Sequence, residues 1–465
     1  MEKKQKNRIE SDSMGEVSVP EWAYWGAQTQ RAIHNFQFSD KRIPEPMIRA
    51  LAYIKKHAAY CNARFGLVDD KLAKTIARVC DEILAGNWDR HFPIDVFQTG
   101  SGTSWNMNIN EVIANRGNEI LGSPKGTRNP IHPNDHVNRG QSSNDVIPTA
   151  VHIANRIELP RLHDALEELA KMFSVKEKEY ASCMKLGRTH LQDAVPMTFG
   201  QELSAFRTQI EKVDIHIQSC YSRLEELAIG GTAVGTGINT HPQFRYEVAK
   251  GIANETDIPF RSADNLFEVI AMRDAQVALM GALNTLAGTL MKIVNDLRLL
   301  ASGPRAALGE VILPSLQPGS SIMPGKVNPV IPEAIIQAAA YVHGKVLSVT
   351  IAGQQGPLQL NMMHPLIAYE TLTSIDLLTR VCHSLAKNCV KDLKADEQRM
   401  KYWIDWSLAL VTPLALKIGY DKAAQLAYSA YKQKKHIKEI LKKETNFTDR
   451  EIEDILNPEH MIDKK

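Results

Sequence analysis

The chain of 465 residues contains six cysteines, Cys61, Cys80, Cys183, Cys220, Cys382 and Cys389, and no two of them form a Cys-x-x-Cys pair. Clustered thiolates able to hold zinc or an iron–sulfur cluster are therefore missing, and the six read as reduced thiols of a cytoplasmic protein. Charge imbalance is missing too: 55 Lys plus Arg against 53 Asp plus Glu leave a formal +2. That excludes a large electrostatic commitment to nucleic acid or an anionic membrane and leaves small anionic ligands open. The opening Met1-Glu2-Lys3-Lys4-Gln5-Lys6 is charged and no apolar stretch follows it, so it does not read as a secretory signal. The uncharged run 275–291 is short for a membrane span and is interrupted by Gln276 and Asn284, which suits a buried bundle helix. A phosphate loop ending in Gly-Lys-Ser/Thr is also absent.

What the chain does have is length for a sizeable core and a helical pattern over most of it. Residues 1–140 mix short segments and turns with helical patterns near 46–65 and 70–86. From 141 to 394 the pattern turns to long helices. Leu203, Phe206, Ile210, Val213, Ile217, Cys220, Leu224 and Leu227 recur at steps of three and four, as do Leu279, Leu283, Leu286, Leu290, Ile293, Leu297 and Leu300. Such seams fit either an intramolecular core or self-association. Residues 395–465 form a small C-terminal segment whose Lys-rich stretch 432–443 reads as a solvated helix face.

Polar, glycine-bearing stretches interrupt the helices. Gln98-Thr99-Gly100-Ser101-Gly102-Thr103 places hydroxyls beside glycines that let backbone N–H groups approach an oxyanion. His132-Pro133-Asn134-Asp135-His136 and Gln141-Ser142-Ser143-Asn144-Asp145 follow; their hydroxyls and amides suit carboxylate binding better than metal ligation. Gly187-Arg188-Thr189-His190 carries a lone histidine, which by itself is more often structural than catalytic. The richest stretch is Gly319-Ser320-Ser321-Ile322-Met323-Pro324-Gly325-Lys326-Val327-Asn328-Pro329, with Glu333 beyond it. Two glycines and two prolines forbid a continuous helix there. Hydroxyls, an ammonium and a carboxamide equip the turn to grip a carboxylate and move a proton beside it, although composition alone also fits an ordinary polar loop.

That string matches every fixed position of Gly-Ser-Ser-x-Met-Pro-x-Lys-x-Asn-Pro, and so resembles the signature loop of the fumarase/aspartase superfamily of lyases. The resemblance runs from Arg8-Ile9-Glu10 to Gly419-Tyr420-Asp421-Lys422-Ala423-Ala424 and is to the cofactor-free class II fumarate hydratases. It implies a mainly α, three-domain fold, with a central long-helix bundle shared in a homotetramer. It further implies a cytoplasmic hydro-lyase of the tricarboxylic acid cycle that acts on a small dicarboxylate, fumarate or L-malate, with no metal and no cofactor. By the same resemblance Ser320 is the base, His190 held by Glu333 handles the proton of the departing hydroxide, and Lys326 supplies positive charge. Ser101, Thr103, Ser142, Ser143, Asn144, Thr189, Ser321 and Asn328 are then substrate-binding, and His132, Asn134 and Asp135 fall on a second, peripheral dicarboxylate site.

Two other readings compete. Leu191-Gln192-Asp193-Ala194-Val195-Pro196-Met197-Thr198 and Val330-Ile331-Pro332-Glu333 are similar to aspartate ammonia-lyases of the same superfamily, which carry glutamine where this chain has His190. The residues nearest the chemistry favour the hydratases. Gln359 and Ser104-Trp105 depart from the family pattern, and Trp105 bears on pocket shape. A non-catalytic helical scaffold would not need Ser320, Lys326, Asn328, His190 and Glu333 together.

Overall fold

The computed structural model describes residues 6–86 and 88–462, so most of the charged opening segment lies outside the described residues. The chain is mainly helical, and the sheets among the described residues are all two-stranded. Two compact units alternate along it: Met1–Leu162, Ile215–Thr285 and Tyr341–Leu377 form one, and His163–Asp214, Leu286–Ala340 and Leu378–Lys465 the other.

The first unit opens with an antiparallel hairpin, Asn7–Asp12 against Gly15–Pro20. Arg8 pins it down by donating to the carbonyls of Pro20 at 2.9 Å, Ala23 at 2.8 Å and Trp25 at 2.7 Å. The expected helices follow, at Glu45–Arg64 and Asp70–Leu84. The second is capped by Asp69, whose carboxylate accepts N–H groups of Lys71 and Leu72 that have no partner within the helix.

Helix Thr103–Ile120 is buried nearly all round although rich in polar residues. The contradiction resolves in part through hydrogen bonds, because several of the buried amides stand in for missing backbone partners. Asn118 donates to the Ile131 carbonyl at 2.9 Å and accepts its N–H at 2.7 Å, while Asn108 donates to the His91 carbonyl at 2.9 Å. Glu111 accepts N–H groups of Gly26, Gln28 and Thr29 at 2.9, 2.9 and 3.1 Å, placing an anion at the positive end of helix Ala27–Asn35. Trp105 packs into the hydrophobic core around this helix.

In the second unit, strands Met184–Thr189 and Gln192–Thr198 pair antiparallel, with His190 and Leu191 as a two-residue turn. Both turn residues have positive φ, 55° and 59°, as a turn matched to the twist of the strands requires. Buried Glu310 holds the base of this hairpin, 2.7 Å from Arg188 and 3.6 Å from Lys185. Leu186 joins the core of the C-terminal helices with Ile404, Leu414, Ile440 and Ile452. The Lys-rich stretch is exposed as expected, but a turn splits it between helices Tyr420–Gln433 and Ile437–Glu444.

The long helices are Ser143–Glu179, Phe199–Gln218, Asp274–Leu300, Val330–Gly353 and His364–Leu385. Both leucine-rich seams are buried within the single chain. The uncovered apolar surface lies instead on Val330–Gly353, where Ala334, Gln337, Ala340, Tyr341, Gly344, Leu347 and Ile351 make an exposed face without one charge. Tyr341, Leu347 and Ile351 are 56%, 62% and 50% exposed, too much for a helix with its apolar side already packed. By length and hydropathy this helix and Asp274–Leu300 are both long enough to cross a membrane.

Asn118→Ala would orphan both backbone groups of buried Ile131. We expect a loss of about 3 kcal/mol in urea unfolding, the sum of two unmade buried hydrogen bonds. A loss below about 1 kcal/mol would show that the Ile131 groups find other partners.

Candidate active site

In the first unit two helix N-termini meet. Thr103 begins one helix and Ser143 the other, and their hydroxyl oxygens lie 2.7 Å apart, with Ser101 Oγ a further 2.7 Å from Thr103 Oγ1. Three of the expected binding residues thus form one hydrogen-bonded chain across two positive helix ends, a geometry made for an anion. Gly102 permits the approach: its φ is 73°, and a Cβ there would meet Ile147 Cγ2 at 2.9 Å. Thr103, the last residue of that glycine-rich stretch, is therefore the first residue of a helix.

Ser142 is the N-cap of its helix. Its Oγ accepts the Asn144 N–H at 3.2 Å, while its own N–H donates to Asp145 Oδ1 at 2.9 Å, a reciprocal capping box. The other Asp145 oxygen accepts N–H groups of Gly230 and Thr232, each at 2.9 Å, and Asn144 donates to the Ala233 carbonyl at 2.9 Å. The glycine-rich stretch 230–237 is thereby stitched to the site. Burial pushes the Asp145 carboxyl up to about 7, against the pull of those three N–H donors and of nearby Lys55.

A cavity of about 520 Å³ lies here, lined by Ser142, Gln141, Asn138, Arg139, Thr232 and Ala233 together with Asn134 and Asp135. The residues assigned to a second site thus border the same space as Ser142. His132 caps the turn Pro133–Val137, its Nδ1 accepting the N–H groups of Asn134 and Asp135, both at 3.2 Å. Trp105, expected to shape the pocket, is in the core and does not line this cavity.

The second unit carries the other expected residues. The 319–329 loop is closed at its base by Gly319 N–H to the Lys326 carbonyl at 3.0 Å and by Asn328 Nδ2 to the Gly319 carbonyl at 2.7 Å. Within it Ser320 Oγ accepts two backbone N–H groups, from Met323 at 3.0 Å and Ile322 at 3.3 Å. Ser321 and Lys326 are exposed, and Lys326 has no ion pair among the described residues. Asn328 spends one of its two N–H donors on closing the loop.

His190 stands at the hairpin tip, with Thr189 beside it at the end of its strand. Glu333 lies in the first turn of Val330–Gly353. Among the described residues no hydrogen bond or ion pair joins His190 to Glu333 within the chain. Nor do any three His, Cys, Asp or Glu among the described residues converge on a point where a metal ion would fit. All six cysteines are free and buried, and burial pushes the Cys61 thiol up to about 12.

A family model described as lyase matches residues 15–344, and one described as fumarase C C-terminus matches 410–463. The class II fumarate hydratase of Thermus thermophilus is 47% identical over 454 residues, 97% of each chain, and that of Rickettsia prowazekii 49% identical over 456 residues, 98% of this chain and 99% of its own. The crystal structure of a class II fumarase from Schistosoma mansoni superposes with a TM-score of 0.95 at 38% identity, covering 98% of this chain and 99% of that one.

The chain belongs to the class II fumarate hydratase family of lyases.

Within this hydratase fold, reading the sequence overlooked the residues that hold the site in shape: Lys55, Asp145, Glu310 and the Gly230 and Thr232 amides. Asp145 had a local signal, since Ser-x-x-Asp before a helix is a capping-box pattern. The others act across more than 50 residues of chain and leave no local pattern.

Gly319→Ala tests whether the pinched loop base matters to a hydratase. A Cβ there would meet the Lys326 carbonyl oxygen at 2.3 Å. Displacing the loop by about 1 Å should lower kcat/KM roughly 10²-fold at an unchanged melting temperature. Wild-type kinetics in the variant would mean that the closed base is dispensable.

Proposed function

We propose that the protein reversibly and stereospecifically hydrates fumarate to L-malate, and that a second copy of the chain in a homotetramer completes each active site. The observation that carries the reading is the acceptance of two backbone N–H groups by Ser320 Oγ. A serine hydroxyl is a weak base, and two fixed amide donors with Lys326 in the same loop are what an alkoxide needs to persist.

In the dehydration direction, Ser320 Oγ takes the proton from the carbon next to a carboxylate. The electron pair spreads into that carboxylate as an aci-form dianion. The hydroxyls of Thr103, Ser142 and Thr189, the two helix ends, Asn328 and Lys326 stabilise the dianion; such preorganised donors are worth about 10²–10³-fold each. Collapse of the pair forms the carbon–carbon double bond and expels hydroxide, which leaves as water after gaining a proton from His190. Glu333 is the carboxylate assigned to orient that imidazole.

His190 and Glu333 do not pair within the chain, which motivates a contact between copies, and the uncharged face of Val330–Gly353 is a surface suited to it. The same reading divides the chain near 140 and 394, places the enzyme in the cytoplasm, and leaves His132, Asn134 and Asp135 as a peripheral dicarboxylate site. Lys326, His190 and the helix ends supply the positive charge that a metal would otherwise bring.

Malate should be converted to fumarate, followed by ultraviolet absorbance, with aspartate inert in parallel and turnover unchanged after dialysis against a strong chelator. Aspartate turnover in place of malate would make the enzyme an ammonia-lyase, and activity restored by one metal would overturn the metal-free mechanism. Ser320→Ala should lower kcat by about 10²–10⁴-fold at nearly constant KM, while Ser321→Ala acts mainly on KM. A near-normal kcat in Ser320→Ala, with the loss in Ser321→Ala, would move the base by one residue.

The assembly is tested by co-refolding Ser320→Ala with His190→Asn. Each is expected to be inactive alone and partly active when mixed, because some mixed sites receive both intact side chains. A fully active isolated monomer would end the shared-site reading.

A further inference from the structure

Lys55, on helix Glu45–Arg64, has a relative exposure of 0% and takes no part in the chemistry above. Its ammonium donates to Asn106 Oδ1 at 2.8 Å, Asn138 Oδ1 at 2.9 Å and Gln141 Oε1 at 2.8 Å. Three N–H donors meet three amide oxygens, so the ammonium is saturated, and no carboxylate is among its hydrogen-bond partners. An ammonium in dry surroundings without a bonded counter-ion is costly, and a purely structural contact would be served more cheaply by an apolar side chain.

The three partners locate its purpose. Asn106 lies one turn into the helix that starts at Thr103, and Asn138 and Gln141 form the turn that leads directly into Ser142. The partners also tie to one another: Asn106 Nδ2 donates to Asn138 Oδ1 at 3.2 Å, Asn138 Nδ2 to the Gln141 carbonyl at 3.2 Å, and Gln141 Nε2 to the Val137 carbonyl at 3.0 Å. Asn138, Gln141 and Ser142 line the 520 Å³ cavity.

We propose that Lys55 is a positioning residue of the active site, a three-point clamp that holds the 138–142 turn against the start of helix Thr103–Ile120 and so sets the spacing of the Thr103, Ser142 and Ser143 hydroxyls around a dicarboxylate. The inference rests on the hydro-lyase reading. Two of the three contacts, to Asn138 and Gln141, grip the turn, and the third, to Asn106, grips the helix, so one ammonium bridges the two segments. Burial draws the Lys55 ammonium down to about 7, and the carboxylate of Asp145 opposes that pull.

The test compares Lys55→Met, which keeps the bulk of the side chain but removes the three N–H donors, with Gln141→Leu, which removes one acceptor near the surface, and with Lys56→Met. Lys56 is the neighbouring lysine; it pairs with Asp81 at 2.7 Å and Glu255 at 2.8 Å and touches nothing in the site. Kinetics with fumarate and malate are read per folded molecule, with the folded fraction taken from near-ultraviolet circular dichroism. Lys55→Met should lower kcat and raise KM, so that kcat/KM falls about 10²-fold, the scale of a 1 Å misplacement. Gln141→Leu should move both constants the same way by about 10-fold, and Lys56→Met should move neither, as an exposed ion pair remote from the site predicts. A lysine that merely holds the fold would reduce the folded fraction and leave KM alone; that outcome in Lys55→Met overturns the proposal. Should Lys55→Met not fold, an unchanged KM in Gln141→Leu overturns it instead. Absence of fumarate and malate turnover in the wild-type chain would instead remove the hydro-lyase reading on which the inference rests.

Discussion

The Asp145 carboxylate is the interaction on which the hydroxyl cluster of the first unit depends. Burying a charge costs several kcal/mol unless hydrogen bonds replace its hydration, and here three backbone N–H groups do so from two directions. One bond shapes the N-terminus of the helix that presents Ser143 and Asn144. The other two draw the glycine-rich 230–232 turn onto it. Charge-assisted bonds of this kind are worth about 1.5–3 kcal/mol each, so the turn and the helix end are held as one piece. The Thr103 and Ser143 hydroxyls can then sit 2.7 Å apart without collapsing onto other partners.

The second unit uses a different device. His190 and Ser320 sit on a tight turn and a loop, where mobility would be expected, yet each is tied down at its base. The positive φ of His190 and Leu191 costs about 1–2 kcal/mol per residue. Cross-strand pairing and the buried Glu310 contacts to Lys185 and Arg188 offset it. The strain therefore persists at the residue proposed to handle the proton, and functional sites tend to store strain of this kind. In the 319–329 loop the Gly319 and Asn328 contacts close the neck, while Ile322 and Met323 lend their amides to Ser320 and leave their side chains exposed. Exposed apolar side chains beside Ser320 are suited to excluding water from a carboxylate bound there.

Apolar periodicity and apolar exposure proved to be separate properties. The two seams that drew attention in the sequence are packed within the chain, whereas Val330–Gly353, less regular in its leucines, keeps an uncharged face open. A seam announces only that something covers it. Which helix stays uncovered depends on how many neighbours the fold supplies, and that is not a local quantity.

From the sequence alone came the helical class, the helices near 46–65 and 70–86, the family through its eleven-residue loop, and the chemical inventory of hydroxyls, amides, histidine and lysine. These are local properties, set by the period of apolar residues and by fixed spacings along a few turns of chain. Only the tertiary structure decided which of those groups meet. The chain of hydroxyls from Ser101 to Ser143, the Lys55 clamp from helix Glu45–Arg64 to Gln141, and the latch from Asp145 to Thr232 each join segments 40 or more residues apart. The interleaving of the two units, the placement of His190 on a hairpin rather than a loop, and the burial of Trp105 belong to the same class. Pairing across such separations is selected by the packing of the whole core, and a pattern of residues within one stretch carries no record of it.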